Sequence, residues 1–118
     1  MRKTTLDFIF TFQVKEGKES EFDALTSRQL AVTTEKDPGV LIYNIFKNGD
    51  GTYCQFERYK DSVSLAAHMH NTADLLAQWY GLTEITQMIV LGDIDDAVRK
   101  SLESIPHQHF GVFKFLDR

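Results

Sequence analysis

The 118-residue chain is 42% apolar and 25% charged with only two prolines, a composition that suits one compact domain and, at this length, buries roughly two-thirds of the unfolded surface without covalent staples. Thirteen Lys and Arg against seventeen Asp and Glu give a net charge of -4, opposite in sign to what nucleic-acid backbones or anionic membranes attract, so neither is an expected partner. The single Cys54 excludes an internal disulfide framework and Cys-rich zinc or iron-sulfur sites, and suits a reducing compartment.

Arg2 and Lys3 precede the apolar Phe8, Ile9, Phe10 and Phe12, a superficial likeness to a secretory leader. Asp7 and the interleaved threonines break that run, and no small-residue cleavage site follows. Nowhere do about eighteen apolar residues run together, so a cytoplasmic protein is expected.

From Leu6 to Val14 every second residue is apolar, a period of two that fits a strand and makes one of its faces a phenylalanine wall. After Gly17, residues Phe22, Leu25, Gln29 and Val32 recur at helical spacing until Asp37-Pro38-Gly39 stops the helix. Val40 to Phe46 is β-branched and aromatic, Asn48-Gly49-Asp50-Gly51 tolerates positive φ, and Tyr53 to Tyr59 is extended again, which predicts a hairpin. Asp61 caps a helix through Val63, Leu65, Ala66 and Met69; Asn71-Thr72 breaks it before a second helix with Leu75, Leu76, Trp79 and Leu82. A strand over Ile85 to Leu91, a short helix over Asp95 to Leu102 and a last β segment over Phe110 to Leu116 complete the chain.

The order β-α-β-β-α-β plus a C-terminal extension is the ferredoxin-like, split βαβ plan of the α+β class, an antiparallel sheet with helices on one face. One domain over 1–118 is expected, with its core at about 5–93 and a C-terminal helix and strand over 94–118 packing at a dimer interface. The second strand has apolar residues on both sides, with Val40, Ile42 and Phe46 set against Leu41, Tyr43 and Ile45. Since helices cover one face only, a second copy laying its own sheet on the other predicts a homodimer.

Gly17-Lys18-Glu19-Ser20-Glu21-Phe22, then Pro38-Gly39-Val40-Leu41-Ile42-Tyr43, then Glu57-Arg58-Tyr59-Lys60-Asp61, with His68 eleven residues after Glu57, resembles the antibiotic biosynthesis monooxygenase family from about Leu6 to Asp93. The resemblance implies a dimeric α+β barrel. It also implies one of the family's chemistries: cofactor-independent oxygenation of quinols and anthrones, haem degradation, or isomerisation of a phosphorylated autoinducer. Where the haem-degrading branch carries Asn, Trp and His, this chain has Phe10, His68 and Gln78, which argues against haem degradation. The second histidine frequent in the family is here Ala73.

His68 is the first candidate catalytic residue, because an imidazole titrates near neutrality and serves as base or acid toward a phenolic or enolic substrate; a helix histidine can equally be structural. Glu57 and Tyr59, two apart on a strand, share one face, where the carboxylate orients a histidine, pairs with an arginine, or simply makes a polar contact. Trp79 and Tyr80, with Phe10 and Phe12 of the phenylalanine wall, are candidates to line a slot for an aromatic ring, with core packing as the alternative. Tyr43 and Asn44 are candidates to hold a substrate oxygen, though they point to opposite strand faces.

No metal is expected. His68 and His70 are i, i+2 on a helix and diverge, while His107 and His109 lack a third ligand. No organic cofactor is expected either, since the Asn-Gly-Asp-Gly turn joins two strands and nucleotide-binding fingerprints are missing. The family resemblance then implies a cofactor-independent monooxygenase acting on a small reduced aromatic, of quinol or anthrone type. The alternatives are an isomerase of a small oxygenated metabolite and a non-catalytic dimeric ligand-binding module.

Overall fold

A computed structural model describes residues 3–118, so Arg2 of the N-terminal basic pair lies outside the described residues. The elements run β1 (Leu6–Val14), α1 (Glu19–Lys36), β2 (Val40–Lys47), β3 (Tyr53–Tyr59), α2 (Ser62–Asn71), α3 (Ala73–Leu82), β4 (Thr83–Leu91), α4 (Asp96–Leu102) and β5 (Gln108–Phe110). The five strands form one sheet in the order β2-β3-β1-β4-β5, antiparallel except for the β4–β5 pair. The first four reproduce the expected ferredoxin-like plan.

The alternation in β1 sets the layers. Leu6, Phe8, Phe10 and Phe12 are buried on the inner face with Tyr59, Met88 and Val90, against Phe22 and Leu25 of α1, Leu65 of α2, Trp79 of α3, and Val98 and Leu102 of α4. Each large apolar side chain buried in this way contributes about 1.5–3 kcal/mol. Phe12 is fully buried, 5.3 Å from the stacked Tyr53 ring and 4.9 Å from Trp79. The two caps read from sequence form, Asp61 accepting from the Ser64 N–H and Asp95 from the Val98 N–H.

The outer face differs in detail from expectation. A bulge between Val40 and Ile42 shifts the β2 register, so Tyr43 lies opposite Glu57 and Phe46 opposite Cys54. Val40 therefore joins the face of Tyr43 and Ile45, not that of Ile42 and Phe46, and Leu41 at the bulge is exposed. Ile9, Ile42, Phe56, Ile89 and Leu91 stay half-buried without helical cover. Among them Arg58 donates from Nε and Nη2 to the two oxygens of Asp7, at 2.7 and 2.9 Å.

The last strand is also corrected. Pairing is confined to Gln108–Phe110 beside Ile89–Leu91, and residues 111–118 lie outside any strand. The Asp93 carboxylate accepts from Val112 N–H, which turns the chain away from the ladder. Phe113 and Leu116 are 90% and 73% exposed, so the apolar alternation there has no sheet partner in the single chain. No helix among the described residues is long and apolar enough to cross a membrane.

Candidate active site

Period two in β3 brings Gln55, Glu57 and Tyr59 to the inner face in a row, opposite Phe10, Phe8 and Leu6 of β1. The Tyr59 hydroxyl donates to Glu57 Oε1 at 2.5 Å, and Gln55 Nε2 donates to Glu57 Oε2 at 2.5 Å. Both carboxyl oxygens are thus held by neutral donors. Tyr43, the cross-strand neighbour of Glu57 on β2, adds a second phenol.

These side chains open onto a cavity of about 110 Å³ between the sheet and the helices. Phe8, Phe10 and Met88 form its floor, Trp79 and Tyr80 of α3 one wall, and Leu102 with Ile105 another. Glu57 is the only acidic side chain among the described lining residues, and no Lys, Arg or His is among them. The Phe10 and Tyr80 rings each meet Trp79 edge to face, at 5.8 and 5.5 Å.

Burial in these surroundings pushes the Glu57 carboxyl above the ordinary carboxylate range, against the opposing pull of the Tyr59 hydrogen bond, of His68 and of Gln55. Burial first, and the Glu57 charge second, raise the Tyr43, Tyr59 and Tyr80 hydroxyls. All three phenols therefore remain protonated donors at neutral pH.

His68 sits one layer back. It is buried and does not line the cavity; its ring lies 5.6 Å from that of Tyr43 and 5.5 Å from that of Tyr59. Its Nδ1 is 3.0 Å from Asp37 Oδ2, and Asn71 Nδ2 donates to Asp37 Oδ1 at 2.5 Å. A carboxylate can only accept, so the Nδ1 of His68 carries a proton and points it at Asp37. Gly39 makes this docking feasible. A Cβ there would stand 2.1 Å from Ser64 Oγ, so the Asp-Pro-Gly turn closes against the first turn of α2 only without a side chain.

Of the residues singled out from sequence, Glu57, Tyr59, Tyr43, Trp79, Tyr80 and Phe10 meet at the cavity. Phe12 is placed in the core and His68 behind the two tyrosines. Sequence reasoning missed Gln55, although the period that pairs Glu57 with Tyr59 selects it as well, and it read Asp37 and Asn71 only as helix punctuation. Among the described residues no group of three or more His, Cys, Asp or Glu is arranged to hold a metal ion. His107 Nδ1 and His109 Nε2 each lie 2.7 Å from a backbone carbonyl oxygen, of Ile105 and Gly92 respectively.

Residues 8–77 match the family described as antibiotic biosynthesis monooxygenase. Among solved structures, the chain is similar to MupZ from Pseudomonas fluorescens at 26% identity, with a TM-score of 0.82 over 98% of this chain and 95% of that one. It shares its fold with Rv0793 from Mycobacterium tuberculosis, at 23% identity and a TM-score of 0.64 over 80% of this chain and 99% of that one. The fold is also that of SnoaB from Streptomyces nogalater, a cofactor-independent oxygenase, at 14% identity and a TM-score of 0.63 over 78% and 95%. No curated protein matches the sequence. The family match ends within α3, whereas the likeness to MupZ extends over the C-terminal segment that supplies Leu102 and Ile105 to the cavity wall.

Proposed function

Because this chain belongs to the antibiotic biosynthesis monooxygenase family, we propose that it is a cofactor-independent monooxygenase acting on a reduced aromatic of about one ring, such as a hydroquinone. The family supports a monooxygenase-like role, and the likeness to SnoaB supports it at the level of fold. The observation that carries the reading is Glu57, a carboxyl with a raised proton affinity and the one acidic side chain described in a mostly aromatic and apolar cavity lining. An apolar cavity of about 150 Å³ accepts benzene; at about 110 Å³ this one is smaller, so a single ring requires a small movement of the walls and a polycyclic anthrone a much larger one.

In this reading Glu57 takes a phenolic proton as general base. The electron-rich phenolate then reduces O2 directly. For a hydroquinone the balance is one O2 consumed, one oxygen atom retained on a ring carbon of the resulting hydroxyquinone, and the other released as water. Tyr59 and Gln55 hold the carboxylate in place, and His68, itself bound to Asp37, packs behind the tyrosine rings that line the site. The direct test is oxygen uptake with a monocyclic hydroquinone, which Glu57→Gln should abolish.

The isomerase alternative is less well supported. A phosphorylated ligand needs cations, and none of the described lining residues is Lys, Arg or His. We also propose that a second copy covers the outer face, over Ile9, Ile42, Phe56 and Ile89. The exposed Phe113 and Leu116 of the C-terminal segment then have an apolar partner surface within reach.

A further inference from the structure

The charges around the cavity do not balance. His68 stands behind the two tyrosines and outside the cavity lining, with its Nδ1 committed to Asp37. Arg58, next to Glu57 in sequence, points to the opposite sheet face and is bound through Nε and Nη2 to the two oxygens of Asp7. Glu57 is left with two neutral donors, Tyr59 and Gln55. A carboxyl in low dielectric without a cation takes up a proton or recruits a positive charge. Around it stand the rings of Phe8, Phe10, Tyr43, Trp79 and Tyr80, whose π faces attract cations.

We infer that the cavity selects its ligand by charge, taking a ring-bearing organic ammonium in preference to the neutral isostere and rejecting the carboxylate isostere. This rests on the cavity of the proposed function as the ligand site, and not on its oxygen chemistry. The ammonium keeps its protons on binding; if Glu57 is protonated in the free protein, that proton leaves to solvent as the ion pair forms. Affinity for the cation therefore rises with pH as Glu57 ionises. The titratable groups facing Glu57 are Tyr43 from β2, Tyr59 from β3, His68 from α2 with its partner Asp37, and Tyr80 from α3.

Trp79 is the only tryptophan and lines the cavity, so its fluorescence reports occupancy directly. Three probes of one size separate the charge states: 2-phenylethylammonium, 2-phenylethanol and phenylacetate, each titrated into the full chain. The ammonium is expected to bind about tenfold or more tighter than the alcohol, with phenylacetate the weakest. In Glu57→Gln the gap between ammonium and alcohol should fall below about threefold. Equal binding of alcohol and ammonium, tighter binding of phenylacetate, the same preference in Glu57→Gln, or no binding of any probe overturns the inference.

Should that variant fail to fold, the wild type alone decides the matter. From pH 4.5 upward the ammonium's affinity should climb relative to that of the alcohol, and a flat ratio up to pH 8 overturns the inference. None of the probes is a quinol. Charge selection without hydroquinone turnover would thus sink the oxygenase reading alone, and turnover without charge selection would sink only this inference.

Discussion

Asp37 Oδ2 lies 3.0 Å from His68 Nδ1, joining the turn after α1 to the middle of α2 across 31 residues of sequence. Both side chains are buried, at 1% and 6% exposure, so neither can be lost without leaving a partner unsatisfied. Removing one member of such a buried hydrogen-bonded pair costs about 1–3 kcal/mol. Asp37→Ala and His68→Ala are each expected to lose stability on that scale in urea unfolding, and the double variant to cost at least about 1 kcal/mol less than the sum. Simple additivity would show that the two groups do not act as a pair.

The seat of that pair is set by Gly39. A Cβ at this position meets Ser64 Oγ at 2.1 Å and Ser64 Cβ at 2.5 Å, and relief requires moving α2 or the turn. Gly39→Ala should destabilise by about 1–3 kcal/mol, and adding Ser64→Gly should recover most of the loss. Full stability of Gly39→Ala alone would show that α2 and the turn do not approach this closely.

Glu57 has a proton affinity raised by folding, and the sign of its effect on stability follows. The folded state binds more protons than the unfolded state above the ordinary Glu range, so stability contributed by this group is present at low pH and lost as pH rises through the folded value. Glu57→Gln should therefore gain thermal stability over wild type at pH 8, with the gap closing toward pH 4.5. Tyr59→Phe, which removes a donor favouring the ionised form, should raise the carboxyl further in a carbon-13 titration. A wild-type advantage that grows with pH would mean that Glu57 is compensated by a cation.

Much of this architecture was legible because two periodicities are clean. The phenylalanine alternation of β1 fixes which sheet face is core, and the Asp37-Pro38-Gly39 and Asn71-Thr72 breaks place the helix ends. The C-terminal strand misled because Phe113 and Phe115 alternate as a strand would, yet their pairing depends on what lies beside them in space, which no local pattern encodes. The β2 face assignment failed for a similar reason, since a bulge at Leu41 reverses alternation without a sequence mark. At the site, Glu57 and Tyr59 were accessible from spacing on one strand. Asp37 was not, because its meeting with His68 is a product of the packing of α2 on the turn.

The outer sheet face leads to an expectation about assembly. Ile42, Phe56 and Ile89 lie there half-buried without a helix above them, and light scattering at micromolar protein should report twice the chain mass. Phe56→Glu should give a folded monomer, because a charge at that face stays hydrated only when it is uncovered. A monomeric wild type would remove the case for a second copy.

The most direct measurement is oxygen consumption by the purified protein with a monocyclic hydroquinone, followed alongside hydroxyquinone formation. One O2 should be taken up per ring hydroxylated, and the rate should fall by at least about a hundredfold in Glu57→Gln while that variant still binds the ring by Trp79 fluorescence. Turnover no faster than the uncatalysed reaction in folded protein, or an unchanged rate in Glu57→Gln, would contradict the assignment of Glu57 as the base of a cofactor-independent monooxygenase.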